Sequence, residues 1–188
     1  MKFYSNINED NFNNLQHILE EYAAEFAALY TSTLEDEGFK VTGKLINSIT
    51  TNVKKGDTYY LVTFSAADYW KFVENGRKAG KMPPITPIME WIEAKKILPR
   101  PNANGKLPTT KQLAFMIARS IGENGTIKRF NYDGSHIVAK TVEELNEKYE
   151  PLIEKALADD FEHYVLEVFD KVVIEKLNGI FTGKIALK

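Results

Sequence analysis

From Asp10 to about Tyr30, the positions Phe12, Leu15, Ile18, Leu19, Tyr22, Phe26 and Tyr30 recur at spacings of three and four. That period predicts an amphipathic helix with Glu20, Glu21 and Glu25 turned to solvent and Asp10 or Asn11 as its N-cap. Alanines at 23, 24, 27 and 28 leave room for a neighbouring element to approach closely. The acidic run from Thr31, closed by Gly38, ends the helix. After Gly43 the pattern shifts to short β-rich runs, Ser48 to Val53 and Thr58 to Ser65, parted by Lys54-Lys55-Gly56-Asp57. Glycine in the turn and Val, Thr, Tyr and Phe in the flanks predict a hairpin. Tyr60, Val62 and Phe64 alternate with Tyr59, Leu61 and Thr63, so both faces are fairly apolar, as in a sheet covered on both sides or paired with another subunit.

Ala66 to Glu74 reads as a short helix stopped by Asn75-Gly76. A basic loop, Arg77 to Lys81, and Pro83-Pro84 follow, and Pro87 fits the first turn of a helix carrying Ile88, Trp91 and Ile92 on one face. Leu98 to Pro108, with three prolines, two asparagines and a glycine, reads as an exposed loop. Thr109 or Thr110 then caps a helix holding Leu113, Phe115, Met116, Ile117 and Ile121, closed by Gly122-Glu123-Asn124-Gly125. Thr126 to Ala139, with Asp133-Gly134-Ser135 inside apolar flanks, is expected to hold a strand or an extended arm. A long acidic helix is predicted from about Val142 to Leu177, with a boundary or kink at Pro151 and Leu152, Ala156, Phe161, Tyr164, Val168 and Val172 at helical spacing. Gly179 to Lys188 is a short apolar and basic tail suited to docking on a neighbour.

The 188 residues suit one domain with an appendage, divided here as residues 1–140 and a C-terminal helix and tail, 141–188, of the same domain. No stretch approaches the roughly 18 consecutive apolar residues of a membrane span, and the opening residues lack the apolar core of a secretion signal. The chain is therefore read as soluble and made in a cytoplasm. The absence of cysteine excludes disulfides, thiolate nucleophiles and Cys-based zinc sites. A net charge of -2 hides a segregation: residues 1–37 sum to -7, residues 38–132 to +10 and residues 133–188 to -5. Either the segments complement one another within or between subunits, or the basic middle faces an acidic partner.

Candidate chemistry is thin. His17, His136 and His163 fall on different predicted elements with no carboxylate or second histidine at ligand spacing, and read as surface or packing histidines. The carboxylates Glu35-Asp36-Glu37, Glu143-Glu144 and Asp159-Asp160 sit in polar runs expected to be solvated, whereas catalytic carboxyls need burial or a close charge. Gly76 to Gly80 lacks the strand, helix and Lys-Ser/Thr context of a phosphate loop, and there is no Gly-x-Ser-x-Gly elbow. The basic cluster Arg77, Lys78, Lys81, Lys95, Lys96 and Arg100, with Lys128 and Arg129 beyond, could neutralise phosphate, with Tyr69 and Trp70 nearby for stacking. A sequence pI near 6.0 is low for a dedicated nucleic-acid binder, which favours an acidic protein surface. Trp70, Phe72, Trp91 and Phe115 are expected to pack in the core.

Taken in order, Thr42-Gly43-Lys44-Leu45 with Ser48-Ile49, Val73-Glu74-Asn75-Gly76, Pro83-Pro84-Ile85 with Trp91 to Lys95, and Ala114 to Ile121 ending at Gly125-Thr126 form a recurring pattern. Over about residues 10 to 130 it resembles the tail-completion, or neck, proteins of tailed bacteriophages, a head–tail connector family also described as minor tail components. The resemblance implies an α+β fold, a small antiparallel β-sheet flanked by helices, with long N-terminal and C-terminal helices. It implies a virion structural protein with no catalytic residue, no cofactor and no metal. Its partners would be further copies of itself in a closed ring, twelve-fold or six-fold, the portal or adaptor ring proteins, tail proteins and, in passing, genomic DNA, with no membrane. The location would be the neck between capsid and tail after synthesis in the host cytoplasm.

Charge segregation suits such a ring, in which one surface meets a different surface of the next subunit. Burying a side chain the size of Trp91 or Phe115 is worth about 2 to 3 kcal/mol, against about 0 to 1 for an exposed ion pair. Apolar contacts would hold the register that charge selects. The interaction residues on this reading are Trp70, Arg77, Lys78, Lys81, Trp91, Lys95, Lys96 and Arg100. Two other classes remain open from sequence, a DNA-binding module using the basic middle and a hydrolase acting through Asp159 and Asp160.

Overall fold

The computed structural model describes residues 13–56, 59–101 and 105–181. Helix α1 runs from Asn13 to Asp36. Its apolar face continues past Tyr30 to the fully buried Leu34, so the acidic run extends the helix by another turn and a half before Gly38 turns the chain at positive φ. The expected caps Asp10 and Asn11 lie outside the described residues. Of the four alanines, Ala23 is buried and Ala27 half-buried, but Ala24 and Ala28 face solvent, so close approach occurs on one side only.

A single 3-10 turn, Ile46–Ser48, leads into β1, Thr50–Lys55, and β2, Tyr60–Ser65. The strands pair antiparallel, Thr51 opposite Phe64 and Val53 opposite Val62. The predicted hairpin is thus present, with Gly56 N–H donating to Tyr59 O at 2.8 Å. Asp57 and Thr58 of its turn fall outside the described residues. One sheet face rests on α1, where the Phe64 ring meets Phe26 at 4.0 Å between centroids. The other face, with Leu61 and Tyr59, is open in the monomer.

Helix α2, Trp70–Asn75, starts four residues later than predicted and stops at Gly76 as expected. Helix α3, Ile85–Ala94, begins behind Pro84 and holds Pro87 in its first turn, where no N–H is required of it. The connection from Ile97 to Thr109 is non-helical where described, with Leu98 85% exposed. Helix α4, Thr110–Phe130, is opened by a capping box: Thr109 Oγ1 accepts from Gln112 N–H, and Gln112 Oε1 accepts from Thr109 N–H. Ala114 and Ala118 of α4 and Ile92 of α3 are buried, and the two helices pack against each other.

The closing segment Gly122 to Gly125 breaks α4 only at its last residue, Gly125, and the helix then resumes to Phe130 instead of ending there. Thr126 to Ala139 is accordingly neither strand nor arm but a helical turn, a short connector and the start of α5. That last helix, Ile137–Phe181, begins five residues before the predicted start and runs unbroken through Pro151. Its 45 residues span about 68 Å at 1.5 Å per residue. Residues 182–188, most of the predicted docking tail, lie outside the described set.

Helices α1 and α5 lie antiparallel. Leu15 meets Asp160, Tyr22 meets Tyr149 and Asn146, and the Leu34 end meets Ile137. The core sits between them and the sheet, built from Phe26, Tyr30, Leu34, Leu45, Ile137, Leu145 and Tyr149, with Trp70 and Val73 of α2 against its edge. The chain is an α+β protein with a small antiparallel sheet and long terminal helices.

Candidate functional site

The loop after α1 and the faces of α2 and α3 enclose an open-sided groove of about 650 Å³. Val41, Leu45 and Ile46 supply one wall, Tyr69, Phe72 and Val73 a second, and Pro87 and Trp91 a third, with Tyr132 and Leu34 in contact from behind. Each wall takes one residue from the ordered sequence motifs, Leu45, Val73 and Trp91 in turn. Lys40, Lys44 and Lys95 stand around the rim against a single lining carboxylate, Glu90, which Lys44 meets at 2.6 Å. Lys40 reaches Glu35 at 2.5 Å and Lys95 Nζ lies 3.4 Å from Gly38 O. These pairs are exposed and weak, of order 0 to 1 kcal/mol; the lining itself carries three lysines against one carboxylate around an apolar floor.

Core packing was expected of Phe72, Trp91 and Phe115; all three are at least 40% exposed. Phe72 and Trp91 line this groove, and Phe115 lines a second. Exposed and buried aromatics share the same helical spacing, so spacing alone could not separate a core stripe from a groove wall. Trp70 does pack on the core.

The basic cluster is not one stripe. Lys95 belongs to the groove rim, and Lys96 follows α3 at positive φ. Arg100 lies with Lys106 and Lys111 beside a shallower concavity of about 730 Å³ that includes Leu107, Phe115 and Met116. Arg77 is a structural residue of its loop: its guanidinium lies 4.6 Å from the Phe72 ring centroid and donates to Lys81 O at 2.7 Å. Lys78 and Lys81 are exposed.

That loop is held by a junction which the sequence did not reveal. Arg77 N–H donates to Thr126 Oγ1 and Thr126 N–H donates to Arg77 O, both at 2.7 Å, while the Thr126 hydroxyl donates to Tyr132 O at 3.0 Å. A Cβ on Gly125 would stand 2.4 Å from Arg77 O, and one on Gly134 2.0 Å from Glu74 O. Both glycines have positive φ, so the kink in α4 and the turn before α5 need glycine twice over. Glu74 is buried at the same point and caps α5, accepting from Val138 N–H at 3.0 Å and Ala139 N–H at 3.3 Å. The Tyr132 hydroxyl donates to Val73 O, and burial raises its pKa.

Two further sequence readings need correction. Asp160 is not solvated: it is 2% exposed and accepts from Leu15 N–H at 2.8 Å and Asn14 N–H at 3.2 Å, tying α5 to the first described turn of α1. His17 does have a carboxylate one turn on, Glu21 at 3.3 Å, though the pair is exposed. Among the described residues no three His, Cys, Asp or Glu side chains cluster to hold a metal ion, and no helix is long and apolar enough to cross a membrane.

Residues 9–76 match the family model described as "Bacteriophage HK97-gp10, putative tail-component". Over that segment the chain is similar to the phage tail-component family. The segment holds α1, the hairpin, α2 and two walls of the groove. The match supports the tail-completion resemblance carried by the ordered motifs. No curated protein and no solved structure matches the chain.

Proposed function

We propose that this chain is a virion structural protein, a subunit of a ring in the head–tail connector that joins portal and capsid to tail and forms part of the DNA passage. The observation that carries the reading is the tail-component match across residues 9–76, the stretch from which the apolar groove takes two of its walls. The lining supports a binding role over a chemical one. Its charged groups stand at the rim, and its floor is aliphatic and aromatic, a composition that gains by covering apolar area.

On this reading the subunit works by shape. Copies close into a hollow ring, twelve-fold or six-fold, and the exposed loops meet the portal or adaptor ring on one side and tail proteins on the other. The carboxylate-rich terminal helices suit a wall that repels passing phosphate. Negative-stain electron microscopy and native mass of the purified protein, alone and with purified particles, test the proposal. Closed rings, and the chain at the neck of particles, are expected; a persistent monomer absent from particles overturns it.

A further inference from the structure

Beyond Asp160 the helix α5 leaves α1 behind, since Leu15 lies near the beginning of the described part of its partner. From Phe161 to Lys176 this arm carries exposed Phe161, Leu166, Phe169, Val173 and Ile174. Plotted at 100° per residue, Leu166, Phe169 and Val173 lie within about 60° of one another, on a stripe flanked at its two ends by Glu162 and Lys176. Its charged side chains are four carboxylates, Glu162, Glu167, Asp170 and Glu175, against two lysines, Lys171 and Lys176. A helix with so many large apolar side chains exposed is the mark of an element that docks.

The groove lies at the other end of the molecule. Leu34 and Phe39, at the end of α1 far from Asp160, belong to its lining. One end of the subunit therefore presents an apolar helix with net negative charge, and the opposite end an apolar groove with a net positive rim. The two cannot meet within one chain, because the antiparallel packing of α1 on α5 holds them apart. Within the subunit acidic α1 and acidic α5 face each other, joined by Lys148 to Glu25 at 2.6 Å; on the arm Lys171 pairs with Glu167, and the remaining charges, Glu162, Asp170 and Glu175 against Lys176, are net negative.

We infer that the α5 arm of one subunit seats in the groove of a second copy, Phe169 and its apolar neighbours against Trp91, Phe72 and Tyr69, with the arm's carboxylates facing Lys40, Lys44 and Lys95. The joint is head-to-tail, so each subunit offers one arm and one groove and the chain of contacts closes only by rotation. It rests on the ring reading above and names the surfaces that make the ring.

Complementing variants of the full chain test it. Trp91→Asp spoils the groove and keeps the arm; Phe169→Asp spoils the arm and keeps the groove. Both side chains are exposed in the monomer, so both variants fold, as circular dichroism will show. Each alone is expected to lose assembly and run as a monomer in light scattering, while an equal mixture forms a one-to-one pair and stops there, because only one intact joint remains. A mixture that stays monomeric overturns the inference. So does assembly at wild-type strength by either variant, as would follow if residues 1–12 of the same chain cover the arm, and so does a dimer of one variant alone, which marks an arm-to-arm contact. Rings of the wild-type chain in the microscope separate the two claims: rings with a failed mixture remove this joint and leave the ring, whereas no rings remove both.

Discussion

Glu74 is a carboxylate taken out of water and met by N–H groups instead of a cation. It stands at the N-terminus of α5, where backbone donors and the helix dipole favour negative charge. Ser135 Oγ lies 3.4 Å from the same carboxylate, so the cap is shared between a connector residue and a side chain more than sixty positions away. Glu74→Gln keeps the shape and removes the charge, and one of its two acceptors becomes a donor pointed at other donors. A loss of about 1 to 2 kcal/mol is expected, read as a lower midpoint in urea unfolding with an unchanged slope. An unchanged midpoint would show that the cap contributes nothing. In the sequence, Glu74 was visible only as part of a Val-Glu-Asn-Gly turn. The Asn-Gly stop is a local signal and was legible, whereas the partner of Glu74 lies at Val138 and Ala139, and no spacing rule reports contacts at that separation. Asp160 was hidden for the same reason, since a doublet in an acidic run looks solvated until α1 is placed beside it.

At the scale of elements, α1 and α5 are locked by a polar cluster as well as by their core. Glu25 accepts from both Lys148 Nζ and Tyr149 Oη at 2.6 Å, which holds its pKa below the usual carboxylate value, the lysine contact being the larger cause. Burial, with Glu25 second, pushes Tyr149 from 10.0 up to about 12. Tyr30, desolvated in the core and near Glu74, rises to about 12 as well. Both phenols are raised above their unfolded value, so what they add to stability is intact below pH 10 and is lost as pH climbs toward 12. Glu25 has the opposite sense: its contribution is present above the unfolded carboxylate value and fades in acid. Tyrosinate absorbance followed during an alkaline titration should show Tyr30 and Tyr149 ionising last among the tyrosines, together with loss of helix signal. Titration of every tyrosine near pH 10 with the fold intact would contradict the packing. Helix existence was legible here because periods of three and four are local. The ends were less so: α4 passes Gly122, because a glycine in mid-helix costs only about 1 kcal/mol, breaks at Gly125, where Arg77 O approaches too closely for any Cβ, and resumes to Phe130.

The whole molecule joins motifs that the sequence could only place in order. Thr42 to Ile46, Tyr69 to Val73 and Trp91 converge on one groove, and Gly125-Thr126 secures the loop behind it. The groove itself was not legible, because exposed and buried aromatics share the same helical spacing. Nor was the division of the basic cluster among three places. Arg77 holds its own loop, which makes it a poor probe of docking, but Lys78 and Lys81 are free of that duty. Lys78→Glu with Lys81→Glu should leave the unfolding free energy within about 1 kcal/mol of the parent, as surface changes do, and weaken attachment to the adjoining ring if this loop is a docking surface. Co-sedimentation with tailless heads measures this, and full attachment by the double variant removes the loop from that role.

The proline in α5 has a mechanical consequence. Pro151 removes one N–H from the helix ladder, yet the helix is pinned on both sides of it, by Tyr149 to Glu25 and by Asp160 to Leu15. Flexing is therefore referred past the second pin, to the stretch from Phe161 to Lys176, a lever about 24 Å long. A tilt of about 10° at its root sweeps the tip through about 4 Å. Anything gripping that tip can be drawn inward or let out by angstroms while every packed contact of the body stays where it is.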